Sequence, residues 1–356
     1  MEEKALKFLQ DLVDAPSPSG FETQAQEVIR GRMTKFTRDV ETDVHGNVMG
    51  RLNRGAPFRV MLAGHCDEIG FLVQHVSDEG FLYIQPVGGV DLALMPGRRV
   101  FVHTKKERIL GVVGKKPIHL MSPEDRKKVP KAEELWVDIG ARNKKDAKKR
   151  VETGDIVTVA EGLALLGKDI AVSRAFDDKI GAFIVTEVLG RLSKRQGFEK
   201  VEVAAVSTVQ EEIGLRGART SAFGIEPHVG VAVDVGFASD QPGAEKKIVG
   251  DIKLGGGPIL HRGPNINPVV GRLLVETAKR KKIPYQMKAE SRASGTDANV
   301  IQITRAGVAA GLIGVPNRYM HTPVEMVSLK DVENCIRLLA EFVCMLKPGI
   351  DFTPRA

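Results

Sequence analysis

The sequence predicts an α/β protein, a layered domain on a largely parallel sheet with a small β-rich unit inserted into it. Three observations predict this. Apolar strand-like runs alternate with amphipathic helical runs over most of the chain, which is the pattern of a layered α/β fold. Between about residues 71 and 168 the texture changes to short alternating stretches broken by Gly, Pro and charged turns. Acidic and histidine residues also fall just after the apolar runs, where an unpaired charge is expensive to bury.

Leu6, Leu9, Leu12 and Val13 recur at helical spacing, and Pro16-Ser17-Pro18-Ser19-Gly20 stops that helix. A second helix starts near Glu22. Val40 to Leu52 reads as a hairpin turning at His45-Gly46-Asn47, and Arg59 to Ala63 as a buried strand ending at Gly64-His65. Stretches such as Phe81-Leu82-Tyr83-Ile84 and Arg99-Val100-Phe101-Val102 then mark the insertion. The expected division is residues 1–70 with 169–356 as one domain and 71–168 as the inserted one. Ile180 to Leu192 reads as a helix, and Val201 to Val209, His228 to Val233 and Ala309 to Val315 as buried strands. Asp331 to Leu346 closes the chain as an amphipathic helix. In an open α/β sheet, ligands collect at the carboxyl ends of the strands. His65, Glu211, Asp234 and His321 each follow a different apolar run within a few residues, so residues distant in sequence are expected to meet in one pocket.

The 356 residues suffice for a large domain plus an insertion, and 42% hydrophobic with 27% charged content is ordinary for a globular chain. A net charge of +7 raises the question of nucleic acid. The basic residues, however, sit in short scattered clusters such as Lys127-Lys128, Lys148-Lys149-Arg150 and Lys279-Arg280-Lys281-Lys282, with no interleaved aromatics. Solvated surface is the reading, and no nucleic-acid partner is expected. Cys66, Cys335 and Cys344 are odd in number and lack zinc-knuckle spacing, which points to a reducing compartment. Met1-Glu2-Glu3-Lys4 leads into an amphipathic pattern rather than a signal peptide, and no apolar run approaches the ~20 residues of a membrane span. The expectation is a cytoplasmic protein with no membrane partner.

The seven residues His65, Asp67, Asp177, Glu211, Glu212, Asp234 and His321 carry the chemistry. Each has a plain structural explanation alone. Asp177-Asp178 precedes a helix and suits an N-cap, but one cap cannot use both carboxylates, which frees the other to bridge metals. Glu211-Glu212 precedes a turn at Gly214, where acids often face water. It also follows the buried run Val203-Ala204-Ala205-Val206, and adjacent carboxylates suit one metal-binding and one proton-handling role. His65-x-Asp67 suits a core histidine satisfied by an acid, and His321 a loop histidine. Asp234 in Val233-Asp234-Val235 needs a cation or several hydrogen bonds. A shared dinuclear metal site explains all seven together.

The order His-x-Asp, Asp, Glu-Glu, Asp, His resembles the co-catalytic di-metal aminopeptidases. His65-Cys66-Asp67-Glu68-Ile69-Gly70, Arg174-Ala175-Phe176-Asp177-Asp178-Lys179, Gln210-Glu211-Glu212-Ile213-Gly214 and Ser294-Gly295-Thr296-Asp297-Ala298 are similar to the glutamyl, or tetrahedral, aminopeptidase family, some members of which are labelled endoglucanase. The resemblance covers nearly the whole chain. It implies His65, Asp177 and Asp234 around one metal and Asp177, Glu212 and His321 around the other, with Asp177 as the bridge. It also implies Glu211 as general base and Asp67 as the second catalytic acid, orienting His65. The cofactor is then two divalent ions per subunit, with Zn²⁺ first and Co²⁺ or Mn²⁺ fitting the same donors. The substrate is a peptide with a free N-terminus, hydrolysed by a water shared between the metals. The fold that the resemblance implies is an α/β/α catalytic domain with a mixed, largely parallel sheet and an inserted β-barrel-like dimerisation domain, in a homo-oligomer of dimers that reaches a dodecamer. Cys66 and Gly236 depart from the Met and Thr common in the family at these places. Alternation of side chains along an extended segment makes Cys66 a packed, inert residue.

Around Gly255-Gly256-Gly257-Pro258 and Ser294-Gly295-Thr296-Asp297, analogy places the pocket for the substrate side chain, and no phosphate loop is implied. Three other readings compete. A related di-metal deacylase differs only in not requiring a free amine. A glycosidase needs only paired carboxylates and leaves His65 and His321 unused. A metal-stabilised scaffold without catalysis has no use for Glu211.

Overall fold

Along the strand Phe58–His65, Val60 and Leu62 are buried on one face and Met61 and Ala63 on the other, as a strand between two helical layers requires. The computed structural model describes residues 1–355. Its first elements are α1 (Glu3–Asp14), α2 (Thr23–Met33), β1 (Val40–Thr42), β2 (Val48–Leu52) and β3 (Phe58–His65). Next come β4 (Gly70–Val76), β5 (Leu82–Val87), β6 (Arg99–His103), β7 (Arg108–Gly114), β8 (Trp136–Asp138), α3 (Lys144–Ala147) and β9 (Ile156–Val159). The chain continues through β10 (Ala164–Leu166), β11 (Ile170–Ser173), α4 (Phe176–Leu192), β12 (Val201–Thr208), α5 (Arg216–Ile225), β13 (Val229–Phe237) and α6 (Lys246–Val249). It ends with β14 (Ile259–Arg262), α7 (Pro268–Arg280), β15 (Gln286–Ala289), α8 (Asp297–Gln302), β16 (Ala309–Arg318), β17 (Glu325–Ser328) and α9 (Leu329–Met345).

Eleven strands form one mixed sheet in the order β1-β2-β12-β3-β13-β16-β17-β11-β10, with β14 and β15 attached through β16. The central four, β12, β3, β13 and β16, are mutually parallel, and both flanks of the sheet are antiparallel. Helices α1, α2, α4, α7 and α9 cover one face, contributing Leu9, Ile29, Phe183, Leu274 and Leu338 to its core. Each such side chain stabilises the fold by about 1.5–3 kcal/mol on burial. The other face is thinner. Ala63, Ala204 and Ala232 meet Ala218, Ala222 and Ala298 of α5 and α8, and small residues on both sides let these short helices lie close.

Strands β4 to β9 close into a six-stranded antiparallel barrel with its own core of Phe71, Val73, Val100, Val102 and Val137. Strand β10 pairs with β11 in the large sheet, so the tract read as 71–168 contains one strand of that sheet and the barrel's own strands end at Val159. Near the Pro96-Gly97 turn, Met95 lies in the barrel core, with Leu92 and Leu94 packed against it. Among the described residues no helix is long and apolar enough to cross a membrane.

Candidate metal centre

Strand register brings the first residues together. Thr208 on β12 pairs with His65 on β3, and the β3–β13 register, carried two residues past Ala63 and Ala232, sets Asp234 level with His65. Two glycines allow β3 to approach α4. A Cβ on Gly64 would lie 2.3 Å from the carbonyl carbon of Gly181, and one on Gly181 would lie 2.1 Å from Asp178 Oδ2. That approach places the His65 backbone N–H 3.2 Å from Asp178 Oδ2, while Asp178 Oδ1 accepts the Gly181 N–H at 3.0 Å. Asp178 is therefore the helix cap and a tether for His65.

Asp177 lies outside regular helix, with φ −79° and ψ 106°, and the Asp177–Asp178 peptide is cis. Its carboxylate stands between the two histidines. Oδ1 is 3.3 Å from His65 Nε2 and Oδ2 is 3.2 Å from His321 Nε2. His321 Nε2 also lies 3.5 Å from Glu212 Oε1, and His65 Nε2 lies 3.6 Å from Glu211 Oε2. Asp67, fully buried, accepts the N–H groups of Glu211 and Glu212 at 3.0 and 3.1 Å and the Ser19 hydroxyl at 2.6 Å. Its Oδ1 is 3.3 Å from His65 Nδ1, which lies 3.1 Å from the Asp67 carbonyl. On the other side, His321 Nδ1 meets the Gly89 carbonyl of the barrel insertion at 3.0 Å, which leaves Nε2 free to face Asp177. The seven predicted residues thus come together at one crevice, which Asp177, Glu211, Glu212, Asp234 and His321 line, with His65 and Asp67 buried beside them.

Among the described residues, five of the nine non-glycine residues with positive φ lie at or next to this crevice: Ala175, Gln210, Leu215, Tyr319 and His321. Left-handed backbone costs such residues about 1–3 kcal/mol each and persists only where surrounding contacts enforce it.

The electrostatics identify what the crevice accommodates. Burial, with repulsion from Asp177, pushes the Asp234 carboxyl well above its usual range. Burial likewise takes Glu211 up to about 10, with Asp234 and Asp297 adding to it, and Glu212 up to about 7, with Asp177 adding. Burial also opposes ionisation of Asp177, but hydrogen bonding to His321 and His65 holds it below the usual carboxylate range. His321 rises to about 10 through its bond to Asp177. Among the described residues, His65 Nε2 is buried without a hydrogen-bond partner, and Asp234 accepts only the Val235 N–H, at 2.7 Å. Donor atoms of His65, Asp177 and Glu212, and those of His65, Asp178 and Asp234, lie within 4.8 Å of one another. Mixed imidazole and carboxylate donors with excess negative charge fit divalent cations.

A cleft of about 650 Å³ opens from these residues, walled on its far side by Phe237, Met320, Lys288, Arg292 and Ser294. The Ser294 loop lies where the substrate pocket was expected. The Gly255–Pro258 run does not line the cleft. The N–H groups of Gly255 and Gly257 donate to Asp331 at 2.7 Å each, so this run holds the start of α9 instead. Cys66 is fully buried, and burial pushes its thiol up, in keeping with an inert residue. Sequence reading missed Ser19, which is bonded to Asp67, and Glu325, which binds the backbones of Asp177 and His321. For Glu325 the available signal was an acid within the apolar run Val324-Glu325-Met326-Val327.

Comparisons with known proteins agree with this geometry. Residues 46–338 match the family described as M42 glutamyl aminopeptidase. The chain is 36% identical to the lysyl aminopeptidase of Pyrococcus furiosus over 351 residues, covering 98% of this chain and 99% of that one. It resembles the TET aminopeptidase of a marine sediment Thaumarchaeota archaeon with a TM-score of 0.92 and 33% identity, over 98% of both chains. It also resembles the Pyrococcus horikoshii TET1 peptidase, described as assembling into a tetrahedron or a large octahedral shell, with a TM-score of 0.86 and 30% identity over 96% of this chain and 100% of that one.

Proposed function

Because this chain belongs to the M42 glutamyl aminopeptidase family, we propose that it is a di-metal exopeptidase removing N-terminal residues from peptides with a free α-amine. The observation that carries the reading is the Asp177 carboxylate set between His65 and His321, one oxygen toward each. In this reading His65, Asp177 and Asp234 hold one divalent ion and Asp177, Glu212 and His321 the other. When bound, the two ions would supply Lewis acidity for the scissile carbonyl and an acidified water, and their positive charge would favour the carboxylate form of Glu211. Zn²⁺ suits the donors, and Co²⁺ and Mn²⁺ suit them as well.

Glu211 faces the cleft, and its carboxylate accepts a proton from the attacking water and returns it to the leaving amine nitrogen. Asp67 keeps both its oxygens engaged by the N–H groups of Glu211 and Glu212 and by Ser19. Its part is to fix the His65 ring and the Glu pair. The acidic crevice attracts the substrate's ammonium group, which selects chain ends.

The barrel is proposed as the pairing unit of the 71–168 insertion, within dimers that build a dodecamer. Leu110, Val112, Ile118, Leu120 and Val129 are exposed on it, as a subunit interface requires, and the shells formed by the TET1 peptidase support such an assembly. Metal analysis combined with a panel of aminoacyl chromogenic substrates tests the activity. Two ions per subunit and chelator-sensitive cleavage of free-amine substrates are expected; cleavage of acetyl-blocked substrates alone would leave a deacylase. Native mass spectrometry tests the assembly, and monomer alone at micromolar concentration sinks it.

A further inference from the structure

Glu325 opens β17, where it pairs with Ser173, the last residue of β11. Because these strands are antiparallel, the segment leaving β11 toward Asp177 runs beside the segment that enters β17 from His321. The Glu325 side chain lies between the two. Its Oε2 accepts the Asp177 N–H at 2.8 Å and its Oε1 accepts the His321 N–H at 2.9 Å. The residue is 2% exposed, and it makes no other side-chain hydrogen bond among the described residues.

The backbone on both sides needs holding. Ala175, Tyr319 and His321 have φ of 60°, 62° and 59°, conformations that relax unless contacts enforce them. Only a carboxylate answers both donors, because an amide of the same shape offers one acceptor oxygen and turns its NH₂ toward the other N–H. Glu325 does not line the 650 Å³ cleft, but borders a small pocket beside it with Asp177, Glu212 and His321.

We propose that Glu325 is a positioning residue that sets the spacing of Asp177 and His321, and so the affinity of the ion these two share with Glu212. This rests on the di-metal reading above. Asp177 is shared by both ions, but His65 and Asp234, the other ligands of the second ion, are fixed by β3 and β13, so the effect falls mainly on the ion that His321 holds. Outer contacts of this kind are worth about 10–100-fold in metal affinity.

The test is calorimetric titration of Co²⁺ into metal-stripped full-length wild type, E325Q, H321A and the double variant E325Q/H321A, with the thermal midpoint of each stripped protein recorded alongside. The expected result is two ions in the wild type, one of them weakened about 10–100-fold in E325Q. The other, which shares only Asp177, should weaken clearly less, and E325Q should weaken the His321-side ion less on the H321A background than in the wild type. Should E325Q fail to fold, E325D takes its place, since it keeps the charge but is one methylene too short to reach both N–H groups, and the same selective loss is expected. Unchanged affinities in the variant, or equal weakening of both ions with a lowered thermal midpoint, overturn the proposal and leave the di-metal reading standing. A wild type that binds no second ion removes both.

Discussion

His65 and His321 approach the same aspartate from opposite sides but are held by different means. His65 ends a central strand, is 1% exposed, and is fixed by register with Thr208 and by the Gly64–Gly181 contact. His321 lies in the loop between β16 and β17, has a φ of +59°, keeps 35% of its side chain exposed, and depends on Gly89 of the insertion and on Glu325. One half of the crevice is thus built by the sheet itself. The other is assembled from a loop, a buried carboxylate and a carbonyl contributed by the barrel. Parts held by regular structure keep their geometry when one contact is lost, whereas parts held by a few hydrogen bonds do not.

The largest expected effect comes from a residue that serves neither histidine. Glu211→Gln should cut turnover by about 10²–10⁴-fold while both ions bind as before, measured by steady-state kinetics beside metal analysis. Near-normal turnover would remove Glu211 as the base, and lost metal would move it into the ligand set. Next is Asp177→Asn, which should weaken both ions together, because the two halves meet only there. Selective loss of one ion, seen by calorimetry, would break the symmetry on which the comparison rests.

Single-histidine variants sharpen the contrast further. His65→Ala and His321→Ala should each weaken mainly one ion, but only His65→Ala, which opens a cavity at a buried strand end, should also lower the thermal midpoint of the metal-stripped protein. Equal shifts in the two variants would mean that the loop is as firmly built as the strand. The smallest effect is a pH dependence. His321, raised to about 10 by its bond to Asp177, and Glu212, raised to about 7 by burial and by Asp177, must both be deprotonated to bind, so affinity for the His321-side ion should fall as pH drops below about 10, by about tenfold per unit, and more steeply below about 7. A profile that does not steepen below about pH 7 argues that Glu212 is not a ligand.

How much of this was legible in the sequence follows the same division. The parallel centre of the sheet was readable because strands buried on both faces leave unbroken apolar runs, and acids or histidines interrupting such runs stand out. His65 and Asp234 belong to that class. The antiparallel flanks were not readable, since short edge strands such as Ala164–Leu166 carry no pattern that fixes their direction. Glu325 was overlooked because an acid near the start of a short strand reads as its solvent face. Ser19 was hidden in a turn whose Pro and Gly explain it without a partner. Gly89 acts through its carbonyl, which every residue possesses, so composition could not single it out. The Gly255–Pro258 run misled for the opposite reason: glycine-rich loops look like binding sites, and this one turns its N–H groups toward Asp331.

The Gly89 contact also bears on when the crevice becomes complete during synthesis. A chain emerging from the ribosome delivers His65 first, then the barrel, then Asp177 and the Glu pair, and His321 with Glu325 only near its end. Domains fold largely in the order in which they emerge, so the barrel can already stand with its carbonyl in place before the histidine it receives has been made. Until that late loop arrives, the growing chain has half a site. Stalled ribosome complexes released just before and just after residue 325 has cleared the exit tunnel should therefore differ in peptide hydrolysis, and activity in the shorter one would show that the last loop is dispensable.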